Sequence, residues 1–252
     1  METPAITVLT PTVRPPLLPI VEKCLNRQTF KDFEWLVVAP ERLHKDITVK
    51  GNLIAEPELR PGDYWRLCGA MNKGFALAKG ELIVIIMDGN SFNPDMLERF
   101  WGHYKTSPNR LITVVGDQYT NYDSKGNLEN LMWVDPRRNG QGFRESKTDA
   151  MEFSVISIPK QAVIDCGGMD EIYDTCPAVG EKEMALRMSL LGYDMYIDET
   201  IEYKAIHHPR LKEDWDEKYF SITAPLFAKH VHELGEGTRG LNVNCLKEYA
   251  SS

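Results

Sequence analysis

Leu82-Ile83-Val84-Ile85-Ile86-Met87-Asp88-Gly89-Asn90 is the stretch on which the fold turns: an uninterrupted apolar run that ends in a carboxylate, a glycine and a carboxamide. A run this short and this rich in β-branched side chains predicts a strand buried on both faces, as inside a parallel sheet. Asp88 then stands at the strand's carboxyl end, where α/β sheets hold ligands. A carboxylate with a second oxygen donor two residues on suits a hard divalent cation bound to phosphates. The same residues also read as a plain turn, because Asp-Gly and Asn-Ser are turn pairs. The flanking sequence decides between the two.

Working outward, residues 5–10 alternate between two prolines and predict a first strand. Residues 15–24 predict a helix with Leu18, Val21 and Leu25 on its apolar face. Residues 33–39 (FEWLVVA) and 53–55 predict two more strands. Residues 64–78 carry helical spacing at Leu67, Ala70, Met71, Gly74 and Leu77, closed by Gly80. Asn93-Pro94-Asp95 reads as a helix start, with a capping side chain, a proline in the first turn and an acid at the positive end of the dipole. That helix runs to about Thr106, and residues 111–115 form another strand. The alternation predicts a layered α/β/α domain around a mostly parallel, mixed sheet. In the second half, strands are expected at 153–158, 194–197 and 203–206 and helices at 160–166, 181–191 and 215–234, the last kinked or split by Pro225. The residues after Gly235 read as a tail.

The chain has 252 residues, 42% of them hydrophobic and 26% charged, enough for a real core in one large α/β domain. A net charge of −8 disfavours non-specific binding to nucleic acid or anionic lipid, while leaving room for a local basic site. Met1-Glu2-Thr3-Pro4 lacks the pattern of a signal peptide, and no apolar stretch approaches the ~20 residues that span a bilayer. The five scattered cysteines form no CxxC pair and fit reduced thiols in a cytoplasmic protein.

With these elements in place the chain resembles the family-2 glycosyltransferases of the GT-A fold, over most of its length and with motifs in the family's order. Thr10-Pro11-Thr12-Val13-Arg14 is similar to the opening T-P-T-x-N-R, and Gln28-Thr29 with Glu34-Trp35-Leu36-Val37-Val38 to the second-strand segment. Asn72-Lys73-Gly74, Ala78-Lys79-Gly80-Glu81 and Asp88-Gly89-Asn90 resemble the N-x-G, A-x-G-E and D-x-D block. Gly167-Gly168-Met169-Asp170-Glu171 resembles G-G-F-D-E, and Glu181-Lys182-Glu183 with Arg187 and Gly192 the helix that carries the family's base. The resemblance implies a nucleotide-sugar donor, a UDP-sugar first, held by Thr10, Pro11, Thr12, Arg14, Asn72, Lys73, Asp88 and Gly89. It implies Mn²⁺ or Mg²⁺ on Asp88 and Asn90 with His207 or His208, and Glu181 as the base of an inverting hexosyl transfer. It further implies a nucleotide-sugar-binding half at 1–115, an acceptor-binding and catalytic half at 116–210 and a C-terminal helical extension at 211–252. Three positions depart from the pattern: Asn90 replaces an acid, Met71 an arginine, and Val38-Ala39-Pro40-Glu41 the acidic turn after the second strand, with Glu41 as a shifted substitute.

The acceptor is an unidentified hydroxyl on a glycan or small molecule, with nucleic acid less favoured. Arg137, Arg138, Arg144 and Lys147 stand against one acid, Glu145, in residues 136–147. This stretch reads either as a mobile charged loop or as a lid meeting phosphates. Trp133 and Phe143 flank it, as if to stack on a ring. Trp133, Arg137, Arg138, Gly167, Gly168 and Met169 are therefore the acceptor-side candidates. A nucleotidyltransferase would want a glycine-rich loop after the first strand, and residues 10–16 have no glycine. A nucleotide-sugar or glycan-binding module without turnover is the alternative that the D-x-N change motivates.

Overall fold

The structure is a computed structural model that describes residues 3–122, 128–176, 178–206 and 213–249. Among these residues ten strands form one sheet: β1 (Ile6–Pro11), β2 (Phe33–Ala39), β3 (Asn52–Ala55), β4 (Leu82–Ile86), β5 (Asn90–Phe92), β6 (Arg110–Tyr122), β7 (Leu128–Trp133), β8 (Phe143–Glu145), β9 (Val155–Pro159) and β10 (Asp194–Ile206). The order is β3-β2-β1-β4-β9-β6-β10-β5, with β7 on β6 and β8 on β10. β3, β2, β1 and β4 are mutually parallel, β9 runs against both its neighbours, and β6 and β10 are parallel to each other. Every residue of β4 is buried, as its unbroken apolar run requires.

The helices are α1 (Leu18–Asn26), α2 (Leu67–Leu77), α3 (Met96–Thr106), α4 (Lys160–Cys166), α5 (Gly180–Leu190), α6 (Trp215–Lys218) and α7 (Ala224–Gly235). Side chains alternate across β4. Ile83 and Ile85 join Phe75 of α2, Val163 of α4 and Met184 of α5 in one core. Leu82, Val84 and Ile86 join Val21 of α1 and Phe100 of α3 in the other. The result is a layered α/β/α fold around a mostly parallel mixed sheet. None of the described helices is long and apolar enough to cross a membrane.

Two of the motif glycines are spacers between elements. At Gly74 a Cβ would lie 2.3 Å from Leu9 Cδ1, so α2 rests directly on β1. At Gly80 a Cβ would lie 2.4 Å from the Thr7 nitrogen, and the Gly80 amide donates to Thr7 Oγ1 at 2.8 Å. The start of α3 differs from expectation: the helix begins at Met96 and no local side chain caps it. Buried Gln28 does so instead, its Oε1 accepting from the Leu97 amide at 2.9 Å and its Nε2 donating to the Asn93 carbonyl at 2.7 Å.

The second half holds two further corrections and one expected break. The two strands expected between 194 and 206 are one strand, β10, paired with β6 across a register shift between Asp198 and Glu202. The helix expected over 215–234, kinked or split at Pro225, is split by a π-helical turn, Tyr219–Thr223, between α6 and α7. Pro225 itself lies in the first turn of α7, directly after the π-helical turn. The supposed tail folds back on the body: Tyr249 is buried and its hydroxyl donates to Glu171 Oε1 at 2.7 Å.

Candidate functional site

A cleft of about 660 Å³ opens at the carboxyl ends of β1, β3 and β4, within the size range of ligand sites. Asp88 is at its centre and only 5% exposed. Its carboxylate accepts from Thr12 Oγ1 at 2.5 Å and from Arg14 Nε at 3.3 Å, while Arg14 Nη2 closes an ion pair with Oδ1. Thr12 Oγ1 also accepts from the Arg14 amide at 2.9 Å, and the Thr12 amide donates to the Val38 carbonyl at 2.9 Å. Gly89, at φ +74°, makes the turn that returns the chain as β5. Asn90 is buried beyond it, its Nδ2 donating to the Ser154 carbonyl at 3.0 Å. Arg14 Nη1 is sealed from solvent and has no hydrogen-bond partner.

The cleft's other wall is charged and aromatic. Glu56, just past β3, has its carboxyl pushed up to about 7 by burial, against the pull of Arg42 and Arg66. Arg66 is buried and donates to Glu171 at 3.1 Å and Asp174 at 3.2 Å. Asp174 in turn accepts from the Cys68 and Gly69 amides at 2.8 and 3.0 Å and so caps α2 from a distance, while burial raises its carboxyl to about 6. Tyr64 and Trp65 line the cleft, and Trp215 meets both rings edge-on at 6.3 and 5.4 Å.

Glu181 stands in the first turn of α5, with its carboxyl raised by burial and further by Glu152. It is not part of the described cleft wall. The two residues before the helix, Ala178 and Val179, are left-handed at φ +62° and +61°. A β-branched residue in that region is strained, and such strain gathers at functional sites.

Of the residues singled out from sequence, the cleft brings together Pro11, Thr12, Arg14, Asp88 and Asn90. Thr10 turns inward to accept from Trp35 Nε1 at 3.0 Å. Glu41 is exposed and outside the wall; Glu56 holds the acidic place in the cleft. Asn72 is fully buried, its Nδ2 donating to the Met169 carbonyl at 2.9 Å and to Glu171 at 3.0 Å and its Oδ1 accepting from the Met169 amide at 2.8 Å. It clamps α2 to the segment after the Gly167-Gly168 turn and is not part of the cleft wall. Lys73 lies over the Tyr249 ring at 5.9 Å.

Gly167, Gly168 and Met169, placed on the acceptor side from sequence, are covered by the chain itself. Asn242 and Asn244 crowd Gly167, Leu246 crowds Gly168, and Met169 is 1% exposed. Trp133 and Arg137 line a second cavity of about 280 Å³ together with Asp149 and Glu152. The basic stretch is neither a loose loop nor a free cationic lid. Arg137 pairs with Asp135, Arg138 with Asp117 and Glu202, and Arg144 with Glu199. His207 and His208 lie outside the described residues.

Of the donors expected at the metal, the described pair Asp88 and Asn90 does not fit Mn²⁺ or Mg²⁺. Asp88 already carries a guanidinium on its carboxylate, and Asn90 is neutral with its amide group tied to Ser154. A dication there would meet like charge at contact distance. Sequence reading missed Arg42, Glu56, Trp65, Arg66 and Gln118 in the wall. For Arg42 and Glu56 one signal existed: both follow parallel strands, the edge at which such sheets bind ligands.

A mixed sheet in this order, with its cleft at the carboxyl edge of the parallel strands, is a GT-A-like fold. No protein-family model matches the chain, and no curated protein matches it in sequence. Solved structures of S. aureus TarS residues 1–349 are similar to it. The complex with UDP has a TM-score of 0.55 at 13% identity, over 81% of this chain and 61% of that one. The complex with UDP-GlcNAc has a TM-score of 0.57 at 12% identity, over 81% of this chain and 59% of that one. A further structure of TarS 1–349 has a TM-score of 0.60 at 12% identity, over 80% and 60%. The chain thus spans about three fifths of the length of these structures, and the likeness is one of fold.

Proposed function

We propose that this chain is a glycosyltransferase that moves a sugar from a nucleotide-sugar, a UDP-sugar first, to an acceptor hydroxyl with inversion. The observation that carries the reading is the Thr12–Asp88–Arg14 cluster, set in a cleft of nucleotide-sugar size at the carboxyl edge of a GT-A-like sheet. The UDP and UDP-GlcNAc complexes of TarS support a nucleoside-diphosphate sugar as the ligand class. In the reaction the acceptor hydroxyl gives its proton to the Glu181 carboxylate as its oxygen bonds to the sugar's anomeric carbon. The bond from that carbon to the β-phosphate oxygen breaks, and its electron pair leaves with the diphosphate. Burial that raises Glu181 makes its carboxylate the stronger base.

The test is UDP release from a panel of UDP-sugars, with UDP binding followed by calorimetry. Glu181→Gln is expected to lower turnover by about 100-fold or more while still binding UDP. Turnover at the wild-type rate removes Glu181 as base, and absence of UDP binding in the wild type removes the nucleotide-sugar reading. Glu181's place outside the cleft wall favours one other reading, a nucleotide-sugar-binding module without turnover. UDP binding with no release across the panel and across hydroxyl acceptors would select it. A nucleic-acid acceptor loses its support, because Arg137, Arg138 and Arg144 are all paired within the chain.

A further inference from the structure

We propose that Arg14 supplies the fixed positive charge at the donor's diphosphate, so that the nucleotide binds without a divalent cation. The inference rests on the nucleotide-sugar reading above and changes what holds the ligand. Asp88, the residue a metal would need most, is already neutralised by Arg14 and by the Thr12 hydroxyl. Asn90 brings no charge, and its carboxamide is pinned to the Ser154 carbonyl.

Arg14 itself is built for an anion. Two of its nitrogens, Nε and Nη2, are spent on Asp88; the third, Nη1, is buried and unpartnered. An unmet buried N–H is costly until an acceptor reaches it, and a phosphate oxygen is the acceptor that the guanidinium fork matches. The position is rigid. The Thr12 amide ties the preceding residues to β2, and Pro15-Pro16-Leu17 follow as a short 3₁₀ turn. A guanidinium fixed in this way costs no reorganisation as the leaving diphosphate gains charge. Asp88 thereby becomes the counter-ion of the guanidinium and not a ligand of a metal.

Calorimetry with UDP tests this on the full chain, stripped with EDTA and then supplied with Mn²⁺ or Mg²⁺. Binding in EDTA should match binding with metal to within about twofold. Arg14→Gln should weaken UDP binding by about tenfold or more in EDTA, and Arg14→Lys by less. Asp88→Asn, which releases the guanidinium from its carboxylate, should tighten binding. Thermal unfolding of each variant separates lost binding from lost fold, and the wild-type comparison needs no variant at all. UDP binding that appears only with metal, or that vanishes in Asp88→Asn with the fold intact, overturns the inference and leaves the nucleotide-sugar reading standing. No UDP binding under either condition overturns that reading, and the inference with it.

Discussion

Asp198 is 1% exposed and is met by His103 Nε2 at 2.9 Å, by the Thr200 amide at 2.9 Å and by Arg99. Burial alone would raise its pKa. The hydrogen bonds from His103 and Thr200 and the charge of Arg99 outweigh it and hold the carboxyl at about 2, below its ordinary value of 3.8. The sign follows from linkage. A carboxyl depressed in the folded state adds stability above its unfolded pKa and loses it as pH falls through the folded one. The interval here runs from about pH 4 to about pH 2, and the shift is worth about 2 kcal/mol. Asp198→Asn should therefore cost about 2 kcal/mol at pH 7, and the gap to wild type should narrow as pH drops below 4. Urea unfolding across that range measures it; a gap that stays constant with pH would remove the ion pair as its source. Glu56 shows the opposite balance. Its cationic neighbours Arg42 and Arg66 do not overcome burial, so its carboxyl is pushed up to about 7.

At the scale of elements, Gln28 shows what a motif residue does when it touches no ligand. It follows α1, is 1% exposed, and holds both the Leu97 amide and the Asn93 carbonyl at the start of α3. Thr29 adds a bond from its amide to the Pro94 carbonyl at 2.8 Å. Gln28→Ala should lower stability by about 2 kcal/mol through the lost cap and the unmet backbone groups, with UDP binding intact. Chemical denaturation beside calorimetry checks both halves, and a loss of binding without a loss of stability would move Gln28 into the site. The elements legible in sequence were those whose pattern is their own: β2 and α4 match their expected limits, and β4 ends one residue early at Ile86. β10 was split because Asp198 and Glu199 interrupt its apolar pattern; both are buried acids, satisfied by His103, Arg99 and Arg144, which lie far away in sequence. The cleft divides along the same line. Thr12, Arg14 and Asp88 follow strands within recognisable motifs, whereas Glu56 follows a four-residue edge strand that has none. Asn72 carried a motif, yet its partners Met169 and Glu171 sit about a hundred residues away, so only the fold shows that it is a clamp.

For the whole molecule the C-terminal segment matters most, because it reaches the cleft indirectly. Arg239 ion-pairs with Asp170 and Glu183, Asn242 donates to the end of α4, and Leu246 packs over Gly168. Tyr249 completes the chain of contacts: its hydroxyl donates to Glu171 and accepts from Arg66 Nη2 at 3.1 Å. Arg66 lines the cleft and shares its guanidinium between Glu171 and Asp174, the acid that caps α2. The last described residues thus help to set the position of a cleft cation and of the helix beside it. Removing the Tyr249 hydroxyl leaves a buried carboxylate and a buried guanidinium each one bond short, which costs about 1–2 kcal/mol. Tyr249→Phe should lower the melting temperature by about 2–8 °C in a chain of this size. Because Arg66 would lose one of its fixed partners, UDP binding should weaken in parallel. A melting temperature equal to wild type would mean that the segment docks without holding anything, and the reading of residues 239–249 as a structural strap would be withdrawn.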